Sequence, residues 1–569
     1  MTSTRNILFI ALLFIIYLMW MQWEQDYRAP APPAATAGTG QASSVAATAN
    51  GETPAAGTAP QPAAIPPDTG SAEPAEQAPS ASVVVTTDVL RVEIDPRGGN
   101  IVVADLLAYP LQPKHPEHPV RLLDRANATW FVAQSGLIAT QGSSMPAPDH
   151  TAAYTVDRHD YTLGSADSID VPLVWRDAAG LSVRKVFTFH RGSYVIDQRE
   201  EISNDGSTPW SGNAYRQLQR VPPIIDGSGI KGYANIDRYS YAGAAIYSPA
   251  DKFEKLKFDH FLKEPLNKNF AGGWAAMLQH YFFAAWIPPA QETDTYTTSE
   301  IKSPAGARYL VRAMSPLITV EPGQSQTSSA RLYVGPKLQA TLDQVAPGLA
   351  LTVDYGVFTI IADPLHWLLT KLHKLTGNWG LAIILLVLLI KALFFKLSEA
   401  QYRSSAKMRK LQPRLAALKE RYGDDRQKFA AAQMELFQKE KVNPLAGCLP
   451  MLIQIPVFFA LYWVLIESVE LRQASFVGWL HNLSAPDPYF VLPVLNAIVM
   501  VATQHLTPMT GMDPTQAKMM KIMPVVFSVL FAFFPAGLVL YYVVNGGLGL
   551  LQQWIITRRI ERGDKAAAV

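Results

Sequence analysis

Polar side chains interrupt otherwise apolar runs in the last third of the chain: Lys391, Gln454, Asn496, Thr503, Gln504, Ser528, Tyr541, Tyr542 and Asn545. Their chemistry is hydrogen bonding plus one fixed positive charge. Polar groups within a bundle of apolar helices face its interior or a water-filled cavity. For most of them taken singly, helix–helix hydrogen bonds are a sufficient reason. Lys391 differs, because a cation at the centre of a span costs about 2.5–3.5 kcal/mol. It lies about six residues, roughly 9 Å, inside the basic end of its run. No acidic residue falls within any of the apolar runs. Either the ammonium snorkels to the interface or it lines a wet cavity open to the cytoplasm, and the second reading is favoured.

Other chemistry finds little support. The phosphate-loop pattern GxxxxGK[ST], HExxH and Gly-x-Ser-x-Gly are all absent, so nothing marks a catalytic nucleophile. His159, Asp160 and His260 fall at no ligand or triad spacing and read as satisfied surface or core residues. The single cysteine, Cys448, rules out a thiolate metal cluster and a disulfide framework. A formal charge of +2 gives no global field for nucleic acid. The expectation is a protein that is not an enzyme and has no cofactor, no metal and no specific DNA partner.

The run that must hold Lys391 extends over 377–397, with Trp379 and Lys396 at its ends. About 20 residues suffice to cross a hydrocarbon core of roughly 30 Å. Before it, Asp363 to Leu375 sets apolar residues at helical spacing with basic ones between, an interfacial amphipathic helix over 358–376. After it, 398–442 is charged and reads as a helical hairpin turning at Gly423. Three more stretches and a fourth complete spans three to six over 443–557, with Pro450 and Pro456 bending the third. A basic tail, 558–569, follows.

The N-terminal part is different. Arg5 precedes the apolar run Ile7 to Met21, which is either a cleaved signal peptide or an uncleaved anchor. No compact small-residue cleavage site directly follows it, so 1–28 is read as a transmembrane signal-anchor. Residues 29–80, rich in Ala and Pro, form a disordered linker. From 81 to 345 short alternating runs separated by turn signals indicate an antiparallel β-sandwich. Basic residues cluster at Arg5, the hairpin, Lys518 and the tail, which puts both termini in the cytoplasm and the sandwich outside it.

Several stretches carry a family likeness: Gln401-Tyr402, Met408 to Pro413, Lys441 to Pro450, Ser468 to Gln473 and Phe534 to Tyr542. Gly272 to Gln279 and Leu332 to Lys337 add to it within the sandwich. With these, the chain resembles a YidC-type membrane protein insertase, in the Gram-negative form with a large periplasmic domain. The resemblance implies a multidomain protein of the bacterial inner membrane. It would have a periplasmic all-β supersandwich and a polytopic α-helical membrane domain of six spans with a five-helix insertase core. It implies a hydrophilic groove open to cytoplasm and lipid, lined by Lys391, Gln454, Tyr541, Tyr542 and Asn545. The family's basic groove residue is usually arginine; this sequence has Lys391 there. A substrate helix would touch Ile455, Pro456, Phe458 and Leu530, and the hairpin would present Arg409, Lys410, Arg414 and Lys419. Implied partners are nascent membrane proteins, the Sec translocon, the ribosome and signal-recognition machinery, and membrane lipids. The alternative is a secondary transporter or channel, which should show paired broken spans in two related halves. An enzyme site in the sandwich rests on analogy alone.

Overall fold

A computed structural model describes residues 81–566 except 142, 144, 224–239, 304–305, 423–424, 441–448 and 507–513. The side chains at 405, 406, 409, 426, 449–453, 506, 514–521 and 560–566 are likewise not described. The N-terminal anchor, the linker and Cys448 therefore lie outside the described residues, as do the side chains of Lys518 and Lys521.

The sandwich is built from strands whose side chains alternate between core and solvent, as in Val195–Asn204, where every second residue is buried. One sheet has ten strands. Its centre runs through Gly306–Val320, Trp210–Arg220, Phe131–Ala139 and Asn100–Gln112. The other has nine, with Phe282–Ile287, Gln324–Pro336, Val195–Asn204 and Leu181–His190 at its centre. Among the described residues pairing is antiparallel except at one edge, where Val83–Thr86 runs parallel to Asp160–Thr162. Gly98 and Gly99 make the turn into Asn100–Gln112 with φ of 76° and 60°. A Cβ at Gly98 would fall 1.9 Å from the His150 carbonyl oxygen, so only glycine fits.

A buried ion pair within the nine-stranded sheet reaches across to the other sheet. Lys185, fully inaccessible, sits 3.3 Å from Glu200. Its ammonium donates to the Gly98 carbonyl at 2.8 Å and to the Ser135 carbonyl at 3.0 Å on the opposite sheet. Burial pushes the Lys185 ammonium below its usual range, and the Glu200 carboxylate pulls it back.

Beyond the last strand the chain turns helical: α1 (Gln339–Val345), α2 (Thr359–Thr376), α3 (Trp379–Leu393), α4 (Phe395–Lys410), α5 (Gln412–Tyr422), α6 (Arg426–Lys439), α7 (Leu449–Glu467), α8 (Val491–Leu506), α9 (Pro514–Phe531) and α10 (Ala536–Ala566). Helix α10 is the spine and packs on α3, α4, α7 and α8. In α2, Ala362, His366 and Leu369 are buried while Ile360, Trp367 and Leu375 lie open, so both faces are partly apolar. One face packs on α3 and α7; the other suits lipid.

The single helix expected over 377–397 is two. Helices α3 and α4 meet at Phe394 with a 65° bend. Neither proline nor glycine sits there; the break falls where the apolar run gives way to Lys396 and the charged sequence. The expected hairpin is likewise three helices, because Pro413 starts a new one after Lys410. Leu411, Leu415 and Phe437 then close α5 against α6. Among the described residues, α10 is by itself long and apolar enough to cross a membrane, through Ala536–Arg559, and the bent pair is so when its two helices are taken together. The apolar parts of α7, α8 and α9 are shorter.

Replacing Lys185 by Met should strand the Glu200 carboxylate in the sandwich core and destabilise it by about 3–5 kcal/mol. The double variant Lys185→Met/Glu200→Leu should recover most of that loss in thermal unfolding of the purified protein. Equal losses in the single and double variants would show that the stranded charge is not the cause.

Candidate functional site

Four-residue spacing lines Tyr541, Asn545 and Gly549 along one face of α10. The face meets α7 first. Gln454 donates to the Asn545 side-chain oxygen at 3.3 Å and also reaches the Tyr541 hydroxyl. Tyr541 is almost wholly buried. Its neighbour Tyr542 packs on Phe458 of α7 at 5.0 Å and on Phe531 of α9 at 4.5 Å between ring centroids. So Gln454, Tyr541, Tyr542 and Asn545 come together, with the Phe458 ring beside them.

Lys391 lies one turn further along, roughly 6 Å at four residues from Asn545 to Gly549. It occupies the last turn of α3, and its ammonium would be 3.6 Å from a Cβ at Gly549. The missing side chain leaves room there. Tyr402 of α4 closes the other side, donating from its hydroxyl to the Gly549 carbonyl at 3.2 Å. No carboxylate pairs with Lys391 among the described residues. Tyr402 and Gly549 were not among the candidates read from sequence; a tyrosine in a charged helix and a glycine in an apolar one give no local sign of a shared site. The bend at Phe394 is what brings Tyr402 back against α10.

The remaining candidates are placed as follows. Ile455 and Pro456 are half-buried on α7, with Pro456 inside the helix. Leu530 on α9 is 47% exposed, within a helix whose Ile522, Val525, Val526 and Val529 are also open. A helix so apolar on its open sides needs lipid or another apolar helix around it. On the charged helices Lys410, Arg414 and Lys419 reach solvent or its edge, and Arg414 pairs with Glu440. The Arg409 side chain lies outside the described residues.

Residues 82–368 match the family described as YidC periplasmic domain, and residues 371–564 match the family described as 60Kd inner membrane protein. The membrane protein insertase YidC of Methylococcus capsulatus (strain Bath) is 48% identical over 493 residues, covering 86% of this chain and 87% of that one. That of Stenotrophomonas maltophilia (strain R551-3) is 48% identical over 496 residues, covering 86% and 84%. The chain belongs to the YidC family of membrane protein insertases. It is thus an inner-membrane protein with a periplasmic β-sandwich, in a family of insertases rather than enzymes. Among solved structures, a crystal structure of an active YidC insertase with its first transmembrane domain resolved aligns over 83% of this chain and 92% of its own, at 19% identity and a TM-score of 0.37. A galactose mutarotase related enzyme from Lactobacillus acidophilus aligns over 44% of this chain and 97% of its own, at 10% identity and a TM-score of 0.30.

The periplasmic sandwich of this insertase is fastened to its helices. After α7, Val469 enters the sandwich core. Arg472 donates to the Pro110 carbonyl at 3.0 Å, and Gln473 donates to those of Pro110 and Leu111 at 2.9 and 3.1 Å. Between them Glu470 is enclosed near Tyr109 and Tyr355. Burial pushes its carboxyl up to about 7, and a bond from its own backbone amide opposes the shift.

A carboxyl raised in the folded state stabilises most where both states hold the proton, below about 4.5, and that contribution is lost as pH rises through about 7. The difference in thermal midpoint between wild type and Glu470→Gln should therefore change over this range. The variant should be the more stable at pH 8, by up to about 3 kcal/mol at 1.36 kcal/mol per pKa unit. A difference independent of pH between 4.5 and 8 would refute the assignment.

Proposed function

We propose that this insertase passes the polar end of a nascent membrane protein through a wet, cytoplasm-open groove. The groove is lined by Lys391, Gln454, Tyr541, Tyr542 and Asn545. The observation that carries this reading is Lys391: an ammonium on an apolar helix, beside a glycine and a tyrosine hydroxyl, with no carboxylate paired to it among the described residues. Such a charge is costly in hydrocarbon unless water or a transient partner reaches it. A short polar segment crossing the bilayer meets the same cost. A groove reaching partway through shortens the dry path. Lys391 attracts the segment's acidic residues, while Gln454 and the two tyrosines offer hydrogen bonds.

The substrate's apolar helix slides along Ile455, Pro456 and Phe458 on one side and Leu530 on the other, then leaves into lipid. Burial of its apolar surface drives release, at about 25 cal/mol per Å², so no nucleotide is consumed. In this reading six spans cross the membrane, five of them forming the insertase core, with both termini in the cytoplasm. The charged hairpin, with Lys410, Arg414 and Lys419 on it, receives the chain. The ribosome and signal-recognition machinery deliver substrates, and the Sec translocon shares some of them. The basic tail meets ribosomal RNA or anionic lipid.

Lys391→Ala and Lys391→Glu test the charge step directly. Both should impair insertion of a small substrate with an acidic outer segment, the Glu variant more severely because it repels that segment. A like charge at about 4 Å costs on the order of 4 kcal/mol at an effective dielectric of 20. Normal insertion with both variants would refute charge capture.

A further inference from the structure

Helix α7 carries the proposed substrate contacts on one part of its length and ends against the periplasmic sandwich. That end is unusually polar for a buried place. Glu467, His280 and Lys337 are each 4–5% exposed. Glu467 closes α7. His280 sits in the turn between Trp274–Leu278 and Phe282–Ile287, and Lys337 follows Gln324–Pro336. The two sandwich stretches that carry the family likeness therefore converge on this one spot.

The geometry assigns the hydrogens. The His280 Nε2 lies 3.1 Å from the Ile466 carbonyl oxygen, which can only accept, so Nε2 carries the proton. The same nitrogen is 3.9 Å from the Glu467 carboxylate, beyond hydrogen-bond range but close enough to attract it when charged. Lys337 attracts the same carboxylate at longer range, and Asp354, paired with Lys255, works against that attraction. Tyr355 bonds Ser468, whose own hydroxyl donates to the Val464 carbonyl at 2.5 Å. The last carbonyls of a helix have no partner within it and carry its negative end. Here a donor, His280, and a cation, Lys337, from the sandwich side supply both.

We propose that His280, Lys337 and Glu467 form a clasp by which the sandwich caps α7 and fixes its direction, making them positioning residues for insertion. The proposal rests on the reading of Ile455, Pro456 and Phe458 as substrate contacts. A helix held at one end pivots there. At about 1.5 Å per residue, Phe458 stands roughly 14 Å from Glu467. A 10° change at the clasp therefore moves it by more than 2 Å, enough to misplace a sliding contact.

The test uses the full chain in inner-membrane vesicles, with a photo-crosslinking residue at position 458 and a stalled nascent membrane protein. His280→Ala and Glu467→Gln should each lower cross-linking roughly fivefold. They should also speed amide exchange over 464–472 about tenfold, the factor that 1.4 kcal/mol makes in an equilibrium. His280→Gln keeps a donor for the Ile466 carbonyl and should restore both. It also guards against a His280→Ala variant that merely fails to fold. Unchanged exchange and cross-linking in the first two variants would overturn the clasp, as would a His280→Gln variant as defective as His280→Ala. A wild-type chain that gives no cross-link at 458 would overturn the groove reading itself, and the positioning role with it.

Discussion

Hydrocarbon cannot solvate a polar group, and this constraint organises the helical part of the molecule. Away from the helix ends and the internal prolines, backbone amides there are satisfied within their helices, but the side chains of Gln454, Asn545, Tyr541 and Lys391 need something else. The first three satisfy one another along one face of α10. Lys391 alone among them is left without a protein partner among the described residues. Its surroundings are made by small things: the absent side chain of Gly549, and a hydroxyl from α4 that turns toward a backbone carbonyl rather than toward the ammonium. The site offers charge without consuming it in an internal pair.

A second consequence concerns rigidity. Gly546 lets α8 approach α10 closely; a Cβ there would meet Val499 at 2.5 Å. One apolar core then runs from the outer face of the nine-stranded sheet, through Tyr247, Trp274 and Phe283, into α3, α7 and α10. The sandwich is therefore not a tethered passenger. It shares packing with the helices that bear the candidate site, and the segment after α7 enters its core in return. By contrast α9 packs on α8 and leaves much of its apolar surface open. A bundle with one firm flank and one open flank is what a lateral exit toward lipid requires.

Much of this was legible in the chain itself. Alternation and turn residues such as Gly98 and Gly99 mark the sandwich, because a half-buried strand must alternate. The parallel edge pairing was not legible, since register across distant strands leaves no local pattern. Lys391 stood out because a lone charge in an apolar run is costly wherever it sits. The break at Phe394 did not, because it carries no proline or glycine and follows from how α4 packs on α10. Tyr402 was quoted only as part of a family motif, and its role beside Lys391 emerges through that bend. His280, Lys337 and Glu467 lie far apart in sequence, and each reads as an ordinary surface residue until folding buries them together.

In the proposed mechanism a lysine at 391 is compatible with what the groove has to do. An arginine would present a planar fork of five donors and hold a carboxylate in two bonds at once. A lysine acts as a point charge on a flexible stem, so it attracts acidic groups from many directions and fixes none in a single geometry. Substrates of an insertase differ in where their acidic residues fall, and each must leave after it has entered. In the proposed mechanism, broad and shallow attraction from the lysine meets both demands without bidentate capture. Gln454, Tyr541 and Tyr542 add, in the proposed mechanism, neutral and exchangeable contacts. In that mechanism the step toward lipid is driven by the substrate's own apolar surface rather than by anything the groove releases.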